Sequence, residues 1–168
     1  MPPRQSIILM DAVAIKGAHQ AGCWNALRKN FTLHSVPLCV QEATQPNKAG
    51  QQLVSRTEHE LGAELVLGEI TDRMRLGVTM RVGHRTDLDR GERDLLAYAL
   101  SLSGPAWWIC GPDNGTVNAL NLLGLLDRMI SLESLARASG HSPATLPPQY
   151  REQWLADRRT RFLLDQGR

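Results

Sequence analysis

Cysteine is scarce and unpatterned. Cys23, Cys39 and Cys110 are an odd number without C-x-x-C spacing, which argues against a disulfide framework or a structural zinc site and suits three buried thiols in a reducing compartment. Long apolar runs are also missing. The longest, Leu120 to Leu126, is interrupted by Asn121 and falls far short of the roughly 20 residues that span a bilayer. Ile7 to Met10 is too short for a signal-peptide core, so the chain is expected in the cytoplasm, with no membrane partner. Nor is there an excess of charge. Lys and Arg total 19 against 17 Asp and Glu, for a formal net charge of +2, so nucleic-acid binding would need a local basic patch. The phosphate-binding loop G-x-x-x-x-G-K-[ST] does not occur, which argues against a phosphate-handling α/β enzyme of that kind. The histidines His19, His34, His59, His84 and His141 have no paired zinc spacing, and Glu58-His59-Glu60 lacks the second histidine of H-E-x-x-H. They are expected on the surface.

What is present is a series of short apolar runs, each followed by a helical pattern. Within 168 residues this fits one globular domain with a short appendage. Ser6 to Met10 reads as a buried parallel strand. Ala12 to Leu27 reads as a helix, and Phe31 to Cys39 as a second strand with Pro37 marking its end near an edge or turn. Residues 40–59 are polar and broken by Pro46-Asn47 into two short helices. Leu61 to Ile70 contains a candidate strand, and 73–90 is the least readable stretch. Gly91 to Leu102 is a helix stopped by Ser103-Gly104-Pro105. Ala106 to Cys110 is a strand in which at least one of Trp107 and Trp108 belongs in the core, and Thr116 to Leu126 is helical. Ile130 to Leu132 reads as a last short strand before a helix at Leu135 to Ser139. The expected architecture is α/β, with three α/β/α layers, a mainly parallel central sheet over residues 1–140, and a Pro-containing linker and amphipathic C-terminal helix over 141–168.

In open α/β sheets, ligands gather at the carboxyl ends of the strands. Asp11 closes the first strand, and Asp113 follows Cys110 after Gly111-Pro112. Glu42 follows the second strand, and Asp94 lies in the first turn of the Gly91 helix beside Glu92. Each alone reads most simply as a helix cap or a partner for the helix dipole. Together, four carboxylates at one sheet edge could converge on a pocket. Such a cluster needs a counter-charge, because close carboxylates raise one another's pKa. Mg²⁺ or Mn²⁺ supplies it through oxygen ligands and retained waters.

The order of these acids and the words around them resemble a PIN-domain ribonuclease. The matching pieces are Ile7-Ile8-Leu9-Met10-Asp11-Ala12-Val13, Val36-Pro37 with Val40-Gln41-Glu42-Ala43, Leu88-Asp89-Arg90-Gly91-Glu92-Arg93-Asp94 before an Ala-containing helix, and Asp113 leading into Ala119 to Gly124. The third piece is similar to the Gly-Glu-x-Glu helix start of PIN proteins related to VapC toxins. The resemblance covers roughly residues 6–135. It implies a PIN-like fold and a metal-dependent endoribonuclease using one or two Mg²⁺ or Mn²⁺ ions. It assigns both the catalytic and metal-binding roles to Asp11, Glu42, Asp94 and Asp113, with Glu92 as substitute for Asp94. It further implies a toxin-like role, a small antitoxin partner and a homodimer. The chain departs from the pattern at Val13, where many such proteins carry Ser or Asn, and at Gly111, where they carry Thr. Those departures favour the alternative of a degenerate module that binds RNA or a protein without cleavage.

Two basic features remain. Arg73, Arg75, Arg81, Arg85 and Arg90 precede the Asp94 helix and could hold an RNA backbone, although a charge run is usually a solvated face. Arg151, Arg158, Arg159 and Arg161 lie opposite the aromatic face of the C-terminal helix. That helix could fold back over its own domain or dock on a partner.

Overall fold

The apolar run at the start of the chain becomes β1 (Ile7–Met10), in which Ile8, Leu9 and Met10 are completely buried. A strand covered on both faces is the mark of a parallel sheet between helical layers. The computed structural model describes residues 2–83, 86–104, 106–143 and 145–166; His84 and Arg85, counted above among the surface histidines and the arginine run, lie outside them. β1 pairs in parallel with β2 (Thr32–Ser35) on one side and β4 (Trp107–Cys110) on the other. β3 (Val66–Leu67) pairs in parallel outside β2, so the order is β3-β2-β1-β4.

That order reverses the direction of travel across the sheet. The chain steps outward from β1 to β3 and then returns to lay β4 on the far side of β1. Right-handed crossovers therefore place the intervening helices on opposite faces, giving three α/β/α layers. On one face α1 (Ala12–Gln20), α2 (Trp24–Asn30) and α8 (Leu132–Ala138) pack together, and α3 (Pro37–Thr44) leans on α1. On the other, α6 (Arg90–Ser101) packs against β1, α5 (Asp72–Val82) and α7 (Asn114–Leu122), and α3 reaches it as well. The short α4 (Glu58–Ala63) contacts α3. Among the described residues, no helix is long and apolar enough to cross a membrane.

Several boundaries differ from those the sequence suggests. The helix expected over 12–27 is two helices, because Gly22 adopts a left-handed φ of 69° and turns the chain between them. The strand expected from Phe31 to Cys39 stops at Ser35. Pro37 then occupies the first turn of α3, where its missing N–H costs nothing, so it starts a helix rather than ending a strand at an edge. Leu61 to Ile70 yields only the two residues of β3; both are exposed, as befits an edge strand. The stretch 73–90 contains α5, capped by the Thr71 hydroxyl. Ile130 to Leu132 is not a strand. Met129 makes an isolated parallel bridge to Ile109, and Ser131 caps α8, which begins at Leu132.

The C-terminal segment folds back over its own domain. Tyr150 is buried with its ring against Gly17 of α1, and its hydroxyl donates to the Val13 carbonyl at 3.1 Å. A Cβ on Gly17 would sit 2.6 Å from that ring, so only glycine permits the approach. Beyond Tyr150, α9 (Glu152–Gln166) packs on α8, with Leu155 buried and Ser131 and Ser134 both donating to Glu152. Trp107 is buried and Trp108 half-buried.

Candidate metal centre

Asp11 sits where β1 ends and α1 begins. Its Oδ1 caps α1 by accepting from the Ala14 N–H at 2.5 Å, and its own N–H donates to the Cys110 carbonyl of the neighbouring strand. Asp113 does the same after β4, where its Oδ1 accepts from the Thr116 N–H at 2.9 Å. Both are therefore the caps that local sequence suggests. The caps use only one oxygen each. Oδ2 of Asp11 and Oδ2 of Asp113 are buried and have no hydrogen-bond partner among the described residues.

Glu92 completes the group. It stands at the third position of α6 in a reciprocal capping box, accepting from the Asp89 N–H while Asp89 accepts from its own N–H. One carboxylate oxygen each from Asp11, Glu92 and Asp113 can lie within 4.8 Å of the others. The group lies at the carboxyl ends of β1 and β4, the pair of strands between which the sheet order reverses. That is the topological switch point at which open α/β sheets bind ligands.

The four acids singled out from sequence are thus not all in one place. Asp11 and Asp113 meet, and Glu92, held above as a substitute, joins them. Asp94 does not, and its assignment to the pocket is corrected. It is buried at 8% exposure and gripped by Arg75, whose Nε and Nη2 donate to its two oxygens at 2.7 and 3.0 Å. The reason is helical geometry. Residues two apart on a helix point roughly 200° apart, so α6 cannot aim Glu92 and Asp94 at one site. Glu42 borders the cluster from the last turn of α3. A Cβ on Gly91 would come within 2.8 Å of its Oε2, so a glycine there lets α3 and α6 close on each other.

The electrostatics agree with crowding. Burial raises the Asp11 carboxyl well above the usual range, against the lowering effect of the Ala14 N–H; the charges of Asp113, Asp89 and Glu42 raise it further. Burial, then the Asp113 carboxylate, pushes Glu92 up to about 9. Glu42 is raised by burial and by Asp89, and is pulled the other way by Lys16 and Arg90. The thiols nearby contribute no anion. Burial, followed by the charge of Asp11, holds both Cys39 and Cys110 far above the ordinary thiol value.

The donor set is consequently all oxygen and short of positive charge, which suits a hard divalent cation. Two orphaned carboxylate oxygens point to the same need, since buried polar atoms in native structures are nearly always paired. Gly111 keeps the space open: a Cβ there would stand 3.1 Å from the unpartnered Asp11 Oδ2. Among the described residues, no histidine belongs to this cluster. His34, expected on the surface, is buried in β2, and its Nδ1 lies 2.8 Å from the Tyr98 hydroxyl. No family model, curated protein or solved structure matches the chain.

Proposed function

We propose that the chain is a metal-dependent endoribonuclease of the PIN-domain type, hydrolysing RNA phosphodiester bonds at the acidic cluster. The single observation carrying this reading is the meeting of Asp11, Glu92 and Asp113 at the switch point, with two of their buried oxygens unpartnered. Asp11, Glu92 and Asp113 would hold Mg²⁺ or Mn²⁺, with Glu42 alongside. When bound there, the ion supplies the missing counter-charge and an acidified water for attack on phosphorus.

The chain's own residues do the rest. The caps of α1 and α7 and the box of α6 each fix one carboxylate against rotation, so the remaining oxygens are presented without an ordering cost at binding. Without an ion, burial and then the neighbouring Asp113 carboxylate favour the protonated form of Glu92. Lys16 and Arg90, whose charges act on Glu42, place positive charge at the rim, where an RNA backbone needs it. The buried, unpaired thiols suit the reducing cytoplasm. A toxin-like role, an antitoxin partner and a homodimer rest on the resemblance alone.

A non-catalytic binding module is the second reading. Asp94, which the family pattern puts among the catalytic acids, is neutralised here by Arg75. Calorimetric titration of Mn²⁺ into the wild type and Asp11→Asn, followed by an RNA cleavage assay on the same samples, separates the two. Binding and cleavage lost together in the variant is the expected result. A wild type that neither binds Mn²⁺ nor cuts RNA overturns the nuclease reading in favour of the module.

A further inference from the structure

Beside the acid cluster lies a cleft of about 510 Å³ between α3, the residues following β3, and the first turns of α5 and α6. The two sites share their walls. Successive residues of α3 serve both, Gln41 lining the cleft and Glu42 bordering the acids; on α6, Arg90 lines the cleft while Glu92 faces the acids. A strand of substrate crossing the cluster therefore has this cleft as its next stop.

The chemistry of the cleft is mixed. Leu38 and Ile70 give it apolar surface, and Glu69, Gln41 and Arg75 give it polar groups. Arg75 is presented in one orientation, because Asp94 holds its Nε and Nη2 while Asp72 accepts from Nη1 at 2.8 Å. Each Nη carries two hydrogens, so one on each remains free to donate. The Arg75 side chain is 41% exposed, which leaves it reachable from solvent. Of the charged residues that line the cleft, Glu58, Glu69 and Asp94 outnumber Arg75 and Arg90, so its charge does not favour a phosphate. A neutral planar group with donors and acceptors on its edge meets no such penalty.

Resting on the ribonuclease reading, we propose that this cleft is the subsite for one unpaired base of single-stranded RNA, next to the phosphate at the acid cluster, with Arg75 and Gln41 as specificity-determining residues. Base-paired RNA cannot deliver an edge into such a cleft, whereas a splayed single strand can. Asp94 acts through Arg75 as a positioning residue.

The test uses fluorescence anisotropy of the Asp11→Asn protein, which removes a proposed metal ligand and so keeps the RNA uncut, with a labelled single-stranded RNA and with versions carrying one abasic site at each position in turn. One abasic position should weaken binding about tenfold, as expected for loss of one seated base. Adding Gln41→Ala or Arg75→Gln should weaken the intact RNA by a similar factor and leave the RNA abasic at that position unaffected. Gln41 is exposed, so its variant keeps the fold even if loss of Arg75 disturbs α5. A flat abasic scan, or variants that weaken every RNA equally, overturns the subsite while leaving the nuclease reading intact. Failure of both wild type and Asp11→Asn to bind the intact RNA overturns the nuclease reading and the subsite with it.

Discussion

Asp11 spends one oxygen on the α1 cap and leaves the other buried and unpartnered, an arrangement that folding alone does not favour. Asn caps a helix about as well as Asp and carries no charge to bury. Asp11→Asn should therefore raise the melting temperature of the ion-free protein by about 2–4 °C, while abolishing Mn²⁺ binding in calorimetry. A variant less stable than wild type would show that the carboxylate serves the fold. The two acids of α6 give a sharper comparison. Glu92→Gln should weaken Mn²⁺ binding at least about tenfold, and Asp94→Asn should leave it within about twofold, as expected for a ligand and a non-ligand. The opposite ranking in a titration would restore Asp94 to the pocket. The sequence reading places Asp94 in the pocket and keeps Glu92 only as its substitute. The capping box of Asp89 with Glu92 was the available signal, since it fixes which face of α6 carries Glu92.

Among the elements, β1, β4 and α6 were legible because each has an undivided pattern. β1 and β4 are continuous apolar runs; α6 places Leu95, Leu96 and Ala99 on its buried side. The elements misread were those in which one residue supports two local structures. Pro37 fits either a strand end or the first turn of a helix, and the burial of Cys39, Val40 and Ala43 against neighbouring elements selects the helix. Gly17 is another case. Within α1 it looks like a weak point, yet it is the contact surface for Tyr150 from more than 100 residues away. Gly17→Ala should cost about 1–3 kcal/mol by overpacking, measured by urea denaturation. A wild-type midpoint would mean that the C-terminal segment does not rest on α1.

At the scale of the whole molecule, gathering acids at one edge makes stability depend on pH. Asp11 and Glu92 have folded-state pKa values raised above their ordinary ones. The native protein thus retains protons that the unfolded chain releases, and stability falls as pH rises from the ordinary carboxylate range toward about 9. His19 and His34, both lowered by burial, are neutral above pH ~7 and add nothing to that slope. Urea midpoints of the ion-free protein should accordingly drop between pH 7 and 9, and saturating Mn²⁺ should flatten the drop by replacing the protons. A midpoint that rises over the same interval would exclude the crowded cluster.

Sequence by itself determined the alternation of strands and helices, the burial of β1, and the capping acids at Asp11 and Asp113, because periodicity and caps act over a few neighbouring residues. The tertiary structure alone decided that Asp11 and Asp113 share a pocket, that Glu92 joins them, and that Asp94 belongs to Arg75. Those outcomes depend on β4 returning to lie beside β1, on the turn of α6 against the sheet, and on where α5 brings its arginine. Each is a choice among long-range packings, and no local preference of the chain encodes it.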